Sequence, residues 1–288
     1  MKKPAGPGSV KPVRFILVDV FAETPYAGNQ LAVVLGGERL GTAGMQAIAR
    51  ELYFSETAFI LSGGPGADPS AAATRAFDVR IFTPAEEVPF AGHPVLGTVH
   101  VLRTEVAPGL EPPVTLNLKA GRIPVGFGRA GEPDIYWMEQ LEPVFGGVAG
   151  AGEAAAVLGL TPDDLDARFP VQEVSTGLPH VLVPLKNLDA LRRAQCVRDR
   201  YFDFVRNREA KAVLVFCLEP HEPGNDVSTR MFADAYGITE DPATGSGNGC
   251  LAAYLVRHRV FGKSSLSVRS EQGYEIGRPS LLRLEAEE

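Results

Sequence analysis

The chain has 288 residues, 45% of them hydrophobic and 22% charged, the profile of an ordinary globular protein large enough for two domains. Its net charge of -7 argues against nucleic acid or an anionic membrane as partner, because either would call for a concentrated basic surface. Three cysteines, Cys196, Cys217 and Cys250, form an odd set without metal-type spacing and are expected as reduced thiols in the cytoplasm. No apolar run reaches the eighteen or so residues of a membrane helix, so no membrane span is expected.

Residues 1–12 open with two lysines and continue through Pro and Gly, without the apolar stretch of a secretory signal, and read as a flexible lead-in. Arg14–Val20 and Leu31–Leu35 are rich in Val, Ile and Leu and predict two strands joined through the turn-forming Pro25-Tyr26-Ala27-Gly28-Asn29. Thr42 reads as the N-cap of a helix to about Glu51, with Met45, Ile48, Ala49 and Leu52 at helical spacing. Strands follow at Thr57–Leu61 and Arg75–Phe82, separated by a Gly- and Pro-rich loop at 62–70. Next, Thr83-Pro84-Ala85-Glu86-Glu87 leads through Phe90-Ala91-Gly92-His93-Pro94 into an apolar helix at Val95–Leu102, with Pro94 suited to the first turn.

Short strands are expected at Val114–Leu118, Arg122–Phe127 and Ile135–Met138, then a helix at Ala151–Leu158 and the capped start of another at Thr161-Pro162-Asp163-Asp164. Strands at Val171–Val174 and His180–Pro184 precede two charged surface helices, Leu188–Arg193 and Arg198–Arg206. Strands at Ala212–Leu218 and Val227–Phe232 lead to Thr239-Glu240-Asp241-Pro242-Ala243-Thr244-Gly245-Ser246-Gly247-Asn248-Gly249-Cys250, which runs straight into an apolar helix. Ser265–Arg269 and Tyr274–Ile276 read as closing strands. A helix that begins on Gly245-Ser246-Gly247 keeps its first turn bare, and the unpaired N–H groups and positive dipole end there can seat a carboxylate.

The two halves repeat one another in order. Arg80-Ile81-Phe82 before the His93 helix parallels Arg230-Met231-Phe232 before the Ser246 helix, and Thr57–Ile60 is matched here with Pro179–Leu182. A repeat half a chain long implies two related domains whose helix N-termini point into one cleft.

Ser55-Glu56-Thr57, Phe90-Ala91-Gly92-His93-Pro94, Glu240 through Ser246, Glu271-Gln272-Gly273 and Gly277-Arg278-Pro279-Ser280 together resemble the PhzF-like isomerases of phenazine biosynthesis. Asp19-Val20-Phe21 with Pro25, Gly28 and Asn29 belongs to the same pattern, so the landmarks run from about residue 14 to 280 in the family's order. The resemblance implies the diaminopimelate epimerase-like α+β fold: two pseudo-symmetric domains, each a curved, mainly antiparallel sheet wrapped around a central helix. We divide the chain at 13–128 and 129–280, leaving open whether the last residues complete the first domain. The resemblance also implies a cofactor-free site between the domains and a homodimer. Gln30, where the family more often has Pro, and Gly247-Asn248-Gly249-Cys250, where its continuation is richer in Ala, are departures that bear on substrate more than on reaction class.

Taken alone, Glu56 reads as a solvated carboxylate at a helix-to-strand turn. Burial by its apolar neighbours would instead raise its pKa toward that of a proton shuttle. The family's catalytic Glu falls on this position, which turns the reading to general acid/base. His93 at a helix N-terminus is expected neutral, serving substrate binding or proton relay. His180 has a weaker claim, its place before a strand suiting structural hydrogen bonding equally well. Asp241 caps a turn or, as the resemblance implies, faces the reacting molecule, where two close carboxylates titrate apart.

Ser55, Gly92, Gly245, Ser246 and Gly247 are expected to bind substrate. Cys250, one turn inside its helix, reads as packing, and Glu86 and Glu87 as a solvated loop edge. No metal-ligand pattern or dinucleotide fingerprint appears, so neither a metal nor a cofactor is expected.

The expected function is a cofactor-independent isomerase that moves a proton between carbons of a small carboxylate-bearing substrate. A two-base epimerase of the same fold would carry a thiol at each helix start, where this chain has His93 and Ser246. A Ser hydrolase of Ser246, His93 and Asp241 lacks the Gly-x-Ser-x-Gly elbow. A metabolite-binding relative without turnover is the remaining alternative.

Overall fold

The computed structural model describes residues 12–61, 75–128, 132 and 134–288. The expected loop at 62–70 and all but the last residue of the expected lead-in lie outside them. In chain order the first half comprises β1 (Phe15–Val20), β2 (Asn29–Leu35), α1 (Gly41–Leu52), β3 (Glu56–Ile60), β4 (Ala76–Phe82), β5 (Glu87–Val88), α2 (Gly92–Val101), β6 (Val114–Leu118), β7 (Gly121–Phe127) and β8 (Tyr136–Met138). The second comprises β9 (Val144–Ala149), α3 (Ala151–Val157), β10 (Val171–Ser175), β11 (Pro179–Pro184), α4 (Leu188–Arg193), α5 (Arg198–Val205), β12 (Ala212–Cys217), β13 (Val227–Ala233), β14 (Ile238–Asp241), α6 (Gly245–Arg257), β15 (Ser265–Gln272) and β16 (Ser280–Glu287).

Two eight-stranded sheets result, ordered β1-β2-β3-β4-β6-β7-β8 with β5 on β4, and β16-β15-β13-β12-β11-β10-β9 with β14 on β13. The orders superimpose when β1–β7 are matched with β10–β16. Even the parallel pairs coincide, β2 with β3 and β4 with β6 in one sheet, β11 with β12 and β13 with β15 in the other. Every other strand pair is antiparallel. The fold is α+β with two domains, as expected.

Burial explains why one helix sits inside each sheet. In α2 nearly every side chain from Gly92 to Val101 is buried, and α6 is buried from Gly245 through Val256 with few interruptions. A helix apolar all round has no face to offer water and must be enclosed. Val95, Val99 and Leu102 pack among Leu31, Val33, Ala58 and Ile81 in the first core, and Leu251, Tyr254 and Leu255 among Leu182, Leu214 and Phe216 in the second. By contrast α1 buries only Met45 and Ala49, one turn apart, and lies on the outside of its sheet.

An internal ion pair repeats with the fold. Arg80 on β4 makes two bonds to Glu87 on β5, at 2.8 and 2.7 Å, and Arg230 on β13 makes two to Glu240 on β14, both at 2.8 Å. Each guanidinium also lies 5.1 Å from the ring of the Phe two residues on. These fork-to-carboxylate pairs tie a short strand to each sheet.

Several expectations are corrected. Tyr136–Met138, placed in the second domain by a division at 128/129, pairs with β7, so the first sheet extends to Met138. The final strand stays in the second sheet, paired with β15 from Ser280 to Glu287, and meets the first domain through Leu281 N–H donating to Phe21 O at 3.0 Å. The counterpart of Thr57–Ile60 on β3 is β12, because Thr57 pairs with Phe82 as Val213 pairs with Phe232. Pro179–Leu182 belongs to β11, the counterpart of β2.

Helix α1 starts at Gly41, ahead of Thr42, whose hydroxyl accepts from Arg80. The capping box at Thr161 closes a single 3-10 turn, Pro162–Asp164. Tyr274–Ile276 is likewise a 3-10 turn, held between Gly273 and Gly277 at φ 81° and 69°, where a strand cannot continue.

Candidate active site

Helices α2 and α6 meet end to end. A Cβ added to Gly92 would lie 2.9 Å from Gly245 Cα and from Ser246 N, so only glycines let the two first turns approach this closely. Neither N-cap side chain bonds into its helix. The converging dipole ends open onto a cavity of about 230 Å³ lined by Glu56, His93, His180, Asp241 and Ser246 together with Phe90, Met231 and Tyr236. It is a compact setting for an anion.

Glu56 is the first residue of β3, in parallel register with Leu31 of β2, and its side chain is only 14% exposed. Its Oε2 is buried without a hydrogen-bond partner and lies 3.5 Å from His93 Nδ1. Burial, and then the neighbouring Asp241 carboxylate, raises its pKa well above the ordinary value. His93 is pushed down to about 3 by burial and stays a neutral imidazole. Its Nε2 also has no partner.

Asp241 ends β14, its carboxylate anchored from three directions. Ser55 Oγ and Asn29 Nδ2 donate to Oδ1 at 2.7 and 2.8 Å, and Thr244 Oγ1 donates to Oδ2 at 2.7 Å. Burial raises its pKa, while these donors favour the ionised form and oppose the rise. Of the two carboxylates Glu56 therefore holds a proton more readily, and Asp241 is the one built to stay charged.

Among the expected site residues, Glu56, His93, Asp241, Gly92, Gly245 and Ser246 come together around the cavity. Ser55 stands behind it and spends its hydroxyl on Asp241. Gly247 likewise lies behind the wall, where a Cβ would collide with Leu214 and the His180 ring. Glu87 is engaged by Arg80, and Glu86 is an exposed residue at the rim. No cysteine lines the cavity. Cys250 is buried against Thr176 at 3.4 Å, with its thiol raised to about 11 by burial. Among the described residues no group of three or more His, Cys, Asp or Glu side chains is placed to hold a metal ion.

A family model described as phenazine biosynthesis-like protein matches residues 18–288. The chain belongs to this PhzF family. It is 35% identical over 279 residues to the trans-2,3-dihydro-3-hydroxyanthranilate isomerase of Pseudomonas fluorescens, covering 95% of this chain and 90% of that protein. A solved PhzF-family phenazine biosynthesis protein from Bacillus anthracis matches with a TM-score of 0.84 at 29% identity, over 96% of this chain and 91% of that one. A hydroxyproline epimerase from Agrobacterium vitis shares the fold, with a TM-score of 0.58 at 15% identity, over 93% of this chain and 82% of that one. This PhzF-family chain is an isomerase.

Sequence reasoning gave no role to two residues that hold the PhzF site in shape. Asn29 Nδ2 donates to Ala243 O at 2.9 Å as well as to Asp241, bridging the first half to the second. It reaches inward because Gly28 turns at φ 71°, with Val20 O so near that any Cβ would strike it. Gln272 Nε2 donates to Asp241 O and Thr244 Oγ1, while its Oε1 accepts from Thr244 N and Asn248 Nδ2. The Gly28-Asn29 and Gln272-Gly273 pairs were visible as PhzF landmarks, but their partners lie too far away in sequence for spacing to show the contact.

Proposed function

We propose that this isomerase acts without a cofactor on a small, unsaturated carboxylate and that Glu56 carries the transferred proton. The observation behind this reading is a buried carboxylate oxygen with no partner and a raised pKa, facing a cavity where two bare helix N-termini converge. In the step we envisage, ionised Glu56 takes a proton from a carbon next to the unsaturation. The C–H electron pair delocalises toward the substrate's π system, and the same carboxyl group returns the proton to another carbon, so nothing is gained or lost overall. The helix ends of α2 and α6 bind the carboxylate and stabilise the delocalised charge, and Ser246 adds a hydroxyl donor. His93, neutral and close to Glu56, relays or steadies the proton, and anchored Asp241 keeps the pKa of Glu56 high.

The substrate named for the Pseudomonas fluorescens relative, trans-2,3-dihydro-3-hydroxyanthranilate, has the required carboxylate and unsaturation and is the compound to try first. Incubated with it in deuterium oxide, the wild type should incorporate deuterium as it isomerises the compound. Glu56→Gln should lower both rates on the order of a hundredfold or more, and unchanged exchange in that variant would sink the assignment. A cytoplasmic homodimer completes the reading. The three free thiols support the first part, and the exposed Val144 and Val148 on edge strand β9 support the second. Sedimentation at micromolar concentration would test the dimer.

A further inference from the structure

His180 is a buried ionisable group of the cavity that the proton transfer does not use. It stands on β11, fully buried, in parallel register with Ala212 of β12. Matching the sheets through Phe82 and Phe232 makes Ala212 the counterpart of Glu56. The second domain therefore has a methyl group where the first has its carboxylate, and the imidazole of the adjacent strand lines the same cavity.

The tautomer of this histidine follows from its contacts. Nδ1 lies 2.9 Å from Leu178 O, an acceptor only, so Nδ1 carries the hydrogen and Nε2 presents a lone pair. Burial holds the ring neutral, pushing its pKa down to about 4. Nε2 is buried and has no partner. Its edge of the ring lies against the first turn of α6, where a Cβ on Gly247 would come within 3.2 Å of Nε2. Glycine at 247 and alanine at 212 leave this ring its place. A desolvated acceptor with nothing to accept is costly, and a ligand's donor removes the cost.

We infer that His180 selects the substrate, its Nε2 accepting a hydrogen bond from a hydroxyl or amino group carried by the carboxylate compound, across the cavity from Glu56. This deepens the isomerase reading and rests on it for the position of the carboxylate. His180 takes no proton in the reaction; it favours donor-bearing carboxylates over those without a donor.

Two stable aromatic acids serve as probes, 3-hydroxyanthranilate with its amino and hydroxyl groups and benzoate with neither. By calorimetry the wild type should bind 3-hydroxyanthranilate at least about tenfold more tightly than benzoate, the value of one satisfied buried acceptor. His180→Leu should bring that ratio close to one, while Glu56→Gln keeps it. A wild-type ratio near one, or an undiminished ratio in His180→Leu, would overturn the inference. Should His180→Leu fail to fold, nitrogen NMR of histidine-labelled wild type decides instead: the His180 Nε2 resonance should move on adding 3-hydroxyanthranilate and not benzoate, and a resonance unmoved by both rejects the role. Lost exchange in Glu56→Gln with an unchanged ratio in His180→Leu would remove only this inference. Intact exchange in Glu56→Gln with a collapsed ratio in His180→Leu would remove only the proton-transfer role of Glu56.

Discussion

Replacing Gly92 by alanine tests whether the meeting of the two helix ends is the structural basis of the site. Gly92 has no positive φ, so alanine fits the backbone, and inside a helix it should gain up to about 1 kcal/mol over glycine. Against this, the new Cβ would sit 2.9 Å from Gly245 Cα and Ser246 N and 3.0 Å from Gly245 C. These are backbone atoms that cannot rotate away, and reaching an ordinary contact requires the helix ends to part by about half an ångström. Overpacking of this kind costs about 1–3 kcal/mol, which offsets the full propensity gain and leaves a net loss of up to about 2 kcal/mol. The displaced N–H groups should lower isomerisation at least about tenfold, given that ~1 Å of misplacement can cost about a hundredfold.

Gly44→Ala, in α1, is the matched comparison. There the nearest atom to a new Cβ is Leu40 Cβ at 3.4 Å, so the propensity gain should survive, stabilising the protein by about 0.5–1 kcal/mol. Equilibrium unfolding in urea should therefore rank Gly44→Ala above wild type and Gly92→Ala below it. If Gly92→Ala proved as stable as Gly44→Ala, or isomerised substrate at the wild-type rate, the close approach would not be what holds the site.

Glu56→Gln should also change stability with pH. The folded-state pKa of Glu56 lies above its ordinary value, so the contribution of this group is fully present at low pH and is lost as pH rises through the folded value. Glutamine does not titrate, so the variant should gain in urea midpoint over wild type at about pH 8 and not at about pH 4; a gain independent of pH would contradict the burial argument. The two repeated ion pairs should respond unequally. Arg230→Gln leaves Glu240 buried and unpaired and should cost about 3–5 kcal/mol by urea unfolding, whereas Arg80→Gln, at a pair 21–25% exposed, should cost about 1 kcal/mol. Equal losses would show that burial does not separate the two pairs.

What the sequence made legible were features with local causes. The central helices announced themselves by glycine, a polar residue and unbroken apolar character, and Arg80-Ile81-Phe82 with Arg230-Met231-Phe232 found the correct pair of strands. Elements shaped by distant contacts escaped. β5 has two residues, too few for alternation, and β9 carries Gly146-Gly147 in its middle. β16 alternates from Ser280 to Glu287 but is rich in Leu and Glu, so it does not read as a strand until β15 pairs with it. Composition pairs Thr57–Ile60 with Pro179–Leu182 instead of with β12 because two apolar strands of similar composition lie near each other in the second half, and only register tells them apart. In the site, Glu56 and His93 could be picked out, while Asn29 and Gln272 could not. An amide that bonds Asp241 from 212 positions away leaves no trace in local spacing.

The pairing of Glu56 with Ala212 bears on stereochemistry. Two domains of the same shape enclose the cavity, yet only one of these matched positions offers a carboxylate. On the proton-transfer reading, a substrate held between the walls loses and regains its proton on one face. Transfer would be suprafacial, the second carbon receiving its proton, or the deuterium that replaces it by exchange with solvent, on the face from which the first carbon lost its own. A base on each face would invert a centre; a single base beside a methyl group relocates a double bond.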